Sequence, residues 1–107
     1  MEQKKIRSEI NQALILQDLI EILEDMTLDW DMEFDSAVGP DTRLIADLAF
    51  ESVDVVQFVV AIEEHYQQRG IPWEEFLMID GRYVDEIRVG DTVAFLYRSL
   101  NNHLKGA

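Results

Sequence analysis

The sequence contains no cysteine, and only two prolines and two histidines among its 107 residues. Without cysteine there is no disulfide framework, and any thiol chemistry must use a sulfur brought from outside. Two isolated histidines are too few for a typical zinc site. Basic residues are also scarce: 9 Lys and Arg stand against 22 Asp and Glu, a formal charge of −13. A chain so acidic repels phosphate backbones, which excludes nucleic acid as a partner and points to proteins with basic surfaces. Long apolar runs are missing too. "ALIL", broken by Gln17 and Asp18, is too short for a signal-peptide core, and no stretch approaches a membrane span. A protein free in a reducing cytoplasm is expected.

What is present is enough for a core. Apolar residues make up 48% of the chain, and the length asks for one domain, residues 1–107, expected to act as a monomer. From Ile6 to Met26, Ile6, Ile10, Ala13, Leu14, Leu19, Ile20, Leu23 and Met26 recur at helical spacing. "DWDMEFDSAVGPD" then reads as an extended loop that pins Trp30 and Phe34 onto the core. "VDVVQFVVAI" is β-branched, yet with "EEHYQQRG" and Pro72 behind it, its length and stop signals favour a helix with Arg69 in the last turn. On that helix Val55, Val59, Ile62 and Tyr66 form the expected core stripe. "IPWEEFL" reads as a short helix begun by Pro72. "FLMIDGRYV" carries a hairpin signal at Asp80-Gly81, but short helical turns around a loop are preferred there. Asp91 is expected to cap a last helix with Val93, Leu96, Tyr97, Leu100 and Leu104 on one stripe.

Two chemical readings fail on spacing. Asp29, Asp31, Glu33 and Asp35 alternate like calcium ligands, but Phe34 and Pro40 occupy the places where an EF-hand needs glycine and a bidentate Glu. A hydrolytic centre would need a base beside Ser52. His65 lies more than three turns further along the same helix, ~20 Å away at ~1.5 Å per residue, and His103 is near the terminus. No catalytic residues are expected, and the protein is not read as an enzyme.

Ser52 itself has two readings. By itself it is a helix N-cap, with Asp54 complementing the helix dipole. Its surroundings suggest more. Val53, Val56 and Val60 fall on a flank apart from the core stripe, bordered by Gln57, Glu64 and Gln67, an apolar centre with a polar rim. Either a partner covers this flank, or the segment Trp73–Ile87 folds over it.

These residues resemble the acyl carrier protein family, whose pattern around its modified serine runs D-L-G-x-D-S-L-D into an apolar helix ending in acids and an aromatic. Here "DLAFESVDVVQFVVAIEEHY" places Asp47 and Leu48 on the opening pair, Ser52 on the serine and Asp54 on the acid beyond it. Glu63 and Glu64 fall on the acidic cluster and Tyr66 on the aromatic. The resemblance implies an all-α four-helix bundle with a long loop after helix 1 and an extended connection between helix 2 and the last helix. It implies 4′-phosphopantetheine on Ser52, attached from coenzyme A by a phosphopantetheinyl transferase, with an acyl or related group held as a thioester. Glu51, Val53, Asp54, Val56, Val60, Glu63 and Glu64 would then dock partner enzymes through their basic surfaces. The chain departs from the family in Glu51-Ser52-Val53 for Asp-Ser-Leu, Ala49 for glycine, Gln57 for an acid, and a longer Tyr66–Asp91 connection. A specialised carrier is implied rather than a housekeeping one. The other reading is the same bundle, never modified, used as a protein-interaction module.

Overall fold

The computed structural model describes residues 11–30 and 37–106, without the side chains of 102–106. Its described helices are α1 (Gln12–Met26), α2 (Ser52–Tyr66), α3 (Trp73–Leu77) and α4 (Val89–Gly106). A two-stranded antiparallel hairpin, β1 (Met78–Ile79) and β2 (Arg82–Tyr83), lies between α3 and α4. The described chain is thus mostly helical but not all-α. The hairpin forms because Asp80 and Gly81 both take left-handed backbone, φ 54° and 79°. That pair matches the twist of a two-residue hairpin turn, so the turn signal outweighs the helical preference expected there.

Helix α1 starts at Gln12, where Asn11 Oδ1 accepts the Leu14 N–H at 2.9 Å; Ile6 and Ile10 lie outside the described residues. Its buried face is Ile15, Leu19 and Leu23, at steps of one helical turn. Ala13 and Leu14, expected on the core stripe, are exposed. One residue of register rotates a helix by about 100°, so Ile15 takes the place assigned to Leu14. The helix ends at Thr27, whose hydroxyl donates to the Leu23 carbonyl at 2.8 Å.

On α2 the buried residues are Phe58 and Ile62, with Val55 and Tyr66 packed beside them. Phe58 therefore holds the core position expected for Val59, its ring burying more apolar surface than a valine. The helix stops at Tyr66, earlier than Arg69. Gln67 turns left-handed at φ 53°, and the N–H groups of Gln67 and Gln68 donate to the carbonyls of Glu64 and Glu63 at 3.3 and 3.1 Å. These two bonds are a Schellman ending that satisfies the terminal carbonyls. Gly70, φ 80°, serves the turn into Pro72, which is the residue before α3 rather than its first.

Helix α4 begins at Val89, two residues before the expected cap, and Asp91 lies in its first turn. The start is fixed from outside the helix. Leu44 N–H donates to the Ile87 carbonyl at 2.9 Å, Val89 N–H to Thr42 at 3.0 Å and Gly90 N–H to Pro40 at 2.8 Å. A Cβ at Gly90 would stand 3.0 Å from that Pro40 carbonyl oxygen, so glycine permits the close pairing. Helix α1 packs against both α4 and α2. Val93, Phe95, Leu96 and Leu100 complete the core from α4, and Phe95 stacks on Phe76 of α3 at 4.8 Å.

Candidate functional site at the start of α2

The turn ahead of α2 is built from "RLIADLAF", Arg43 to Phe50. Its backbone winds in a helical turn in which Asp47 and Leu48 N–H donate to Arg43 and Ala49 N–H to Ile45, at 3.0 to 3.2 Å. Two carboxylates hold it. Asp47 accepts from the Arg43 backbone N–H at 2.8 Å and pairs with its guanidinium at 3.0 Å. That hydrogen bond to Arg43 keeps the Asp47 carboxyl below its ordinary range and raises the guanidinium in turn. Glu86 reaches across from the other side of the hairpin, accepting from Ile45 and Ala46 N–H at 2.8 and 2.9 Å and from Ile87 N–H at 3.0 Å. No local sequence signal marks Glu86, because its partners lie about forty positions upstream.

Ala49 leaves this turn at φ 60°. Here the carrier pattern has glycine, and the left-handed backbone is the reason a glycine suits it. Leu48 and Phe50 are buried on either side, and Phe50 meets Trp30 at 5.4 Å and Phe58 at 6.4 Å between ring centroids. Trp30 thus pins the loop to the core as expected; Phe34 lies outside the described residues.

Glu51, not Ser52, is the N-cap. It is extended (φ −105°, ψ 176°), its N–H donates to Asp54 Oδ2 at 2.8 Å, and the Asp54 N–H donates to its carbonyl at 2.9 Å. Asp54 therefore fills the capping-box position three residues on and is half-buried there. Ser52 is the first helical residue. Its side chain is exposed, and its hydroxyl has no hydrogen-bond partner among the described residues. The capping reading of this serine does not hold, since capping is done by its neighbours. The hydroxyl stands free beside the positive end of the helix dipole.

The valine flank is open. Val53, Val56 and Val60 are 57%, 59% and 47% exposed, so the Trp73–Ile87 segment leaves most of this flank uncovered. That segment faces α2 across a groove lined by Ser52, Val55, Val56 and Val59, so Val56 belongs to both surfaces. The acidic residues separate into two kinds. Glu51 and Glu64 are exposed, whereas Glu63 is half-buried and accepts the Trp73 indole N–H at 2.9 Å. Glu63, expected as a docking acid, is therefore also a fastening between α2 and α3. Val60, Glu63, Glu64 and Gln67 share a second cavity with Arg69. Tyr66 is turned inward. Its hydroxyl donates to Asp18 of α1 at 2.7 Å, and burial together with that carboxylate pushes its pKa up. His65 is exposed, with Nε2 3.4 Å from the same Asp18; the His103 side chain lies outside the described residues.

Comparison with protein-family models, curated proteins and solved structures found no match to this chain. Among the described residues no helix is long and apolar enough to cross a membrane, and no cluster of His, Asp and Glu is placed to hold a metal. For 4′-phosphopantetheine the donor set fits at one point. A free hydroxyl at a helix start can form the phosphodiester, whose charge the first-turn N–H groups favour and Glu51 opposes.

Proposed function

We propose that the protein is a carrier that bears 4′-phosphopantetheine on Ser52 and presents a thioester-bound acyl or related group to other enzymes. The observation that supports this most is the free, exposed Ser52 hydroxyl at the first position of α2, with its capping duties taken by Glu51 and Asp54. In the modification, Ser52 Oγ attacks the phosphorus of coenzyme A that bears the pantetheine. A new P–O bond forms, the pyrophosphate bond breaks, 3′,5′-ADP leaves, and the transferase takes the hydroxyl proton. The bound arm supplies the thiol that the cysteine-free chain lacks.

On this reading the helices form a bundle of acyl-carrier type, elaborated by α3 and the hairpin. Val53, Val56 and Val60 are the apolar contact, and Glu51 and Glu64 orient basic partners. We place the carrier in the cytoplasm with the transferase and the enzymes that load and unload it. The chain's own part is positioning, not catalysis. Intact-mass analysis tests this: wild-type protein incubated with coenzyme A and a permissive transferase should gain one phosphopantetheinyl group, and Ser52→Ala should gain none while keeping its helical circular dichroism. A mass gain on the alanine variant, or none on wild type with several transferases, overturns the reading. The latter result, with a tight protein partner competing at Val56, would favour the unmodified interaction module.

A further inference from the structure

The short helical turn that leads to Ser52 opens with the N–H groups of Arg43, Leu44, Ile45 and Ala46, which have no carbonyl of an earlier turn to bond. Each has found a partner. Asp47 takes the first at 2.8 Å, and the Ile87 carbonyl takes the second at 2.9 Å. The other two go to one side chain: Glu86 Oε2 accepts from Ile45 at 2.8 Å and Oε1 from Ala46 at 2.9 Å. Oε2 also accepts the Ile87 N–H at 3.0 Å, so both oxygens of this half-buried carboxylate are committed. An antiparallel bridge between Arg43 and Arg88 sets the two segments side by side.

The residues held in this way lead directly to the serine. The Ile45 carbonyl accepts the Ala49 N–H at 3.1 Å, and the Leu44 carbonyl accepts the Phe50 N–H at 3.0 Å. Ala49 is left-handed at φ 60°, Phe50 is buried, and Glu51 and Ser52 follow. Glycine enters left-handed backbone unaided; alanine enters it at a cost that the bonds around it must offset.

We propose that Glu86 is a positioning residue for the modification of Ser52: from the connection ahead of α4, its carboxylate locks the turn whose left-handed exit at Ala49 aims the hydroxyl. The proposal rests on the Ser52 reading above. The hydrogen bonds of Glu86 go to backbone N–H groups, so it acts on the geometry of the turn and not on the transferred group. A small displacement of a reacting oxygen lowers the rate of transfer steeply. Val53, Val56 and Glu64, further along α2, keep the surface that a transferase would bind.

The test measures steady-state transfer from coenzyme A to the full-length protein by a permissive transferase. Intact mass follows the product, and urea unfolding confirms that each variant is folded under assay conditions. Glu86→Gln keeps the shape but has one acceptor oxygen, and its amide group then faces a backbone N–H. Its kcat should fall roughly tenfold, as for one lost hydrogen bond to a charged group, while KM stays within about twofold. Ala49→Gly added to Glu86→Gln should restore most of the kcat, because glycine holds the left-handed position without help. A folded Glu86→Gln with wild-type kcat, a change confined to KM, or no rescue by glycine overturns the proposal and leaves the carrier reading standing. If Glu86→Gln does not fold, Glu86→Asp, one methylene shorter, takes its place and should lose kcat about threefold with KM kept. Unfolding of both makes Glu86 a support of the whole fold and equally overturns the proposal. A wild type that gains no mass brings down the carrier reading as well, and the mass spectrum separates the two failures.

Discussion

Ala49 occupies backbone that an L-residue enters at a cost, because its Cβ crowds the following carbonyl at φ 60°. The turn keeps that conformation because Leu48 and Phe50 are buried on either side and Asp47 and Glu86 tie down its N–H groups. Ala49→Gly is therefore expected to raise the stability measured by urea unfolding by roughly 0.5–1 kcal/mol, the relief being partly offset by the freedom glycine adds to the unfolded chain. Ala49→Val should lower it by about 1–2 kcal/mol. At the next site the contrast lies between neighbours. Asp54→Ala removes the acceptor of the Glu51 N–H and should cost about 1 kcal/mol. Ser52→Ala removes no hydrogen bond and should stay within about 0.5 kcal/mol of wild type. A serine costing as much as Asp54 would show that it caps the helix after all. The sequence made Ser52 conspicuous but did not assign the cap, because Glu51 is a poor intrinsic N-cap and wins only through the carboxylate three residues ahead.

Between elements, α1 and α2 are clasped where Tyr66 donates to Asp18. Burial and the adjacent carboxylate raise the Tyr66 pKa above its ordinary value of 10.0. A group whose folded pKa is raised contributes stability that is fully present below its unfolded pKa and lost as pH climbs above it. The clasp should therefore hold through neutral pH and weaken above about pH 10. Tyr66→Phe is expected to cost about 1.5 kcal/mol at pH 7, as for a hydrogen bond to a charged acceptor, and to flatten the alkaline limb of a denaturation series. An unchanged alkaline limb in the variant would mean that Tyr66 does not set it. This pairing spans 48 positions in sequence, and no spacing rule could have found it. Periodicity did locate α1, α2 and α4, since each has one face to bury, but it left their registers loose by a residue or two. Leu14 and Ile15 are equally apolar, and only the start at Gln12 decides which faces inward. The hairpin is legible in the sequence only at Asp80-Gly81, because two residues of strand on each side are too few to show alternation.

Across the whole molecule the excess of acid is the property most plainly written in the sequence, and the valine flank beside Ser52 was readable from the helical wheel alone. The far wall of the groove was not, because it is made by a segment whose own periodicity is weak and whose place is set by Phe76 and Trp73 meeting Phe95. Charge and site combine in one kinetic consequence. On the carrier reading, a net charge of −13 makes a field that would draw in a basic enzyme before any contact forms. Screening at physiological salt confines that field to about 8 Å, so only acids near the docking flank steer the final approach. Glu64 is exposed on that flank, whereas the Glu63 carboxylate is engaged by Trp73. Glu64→Lys is thus expected to reduce kcat/KM for the transferase several-fold at low ionic strength, and the deficit should shrink as salt is added, because steering acts on association. Glu63→Gln should leave that salt dependence nearly intact and instead alter Trp73 fluorescence, its change lying at the fastening between α2 and α3. If both substitutions depressed the rate equally at every salt concentration, the acids would be acting through the fold of α2 and not through the field in front of it.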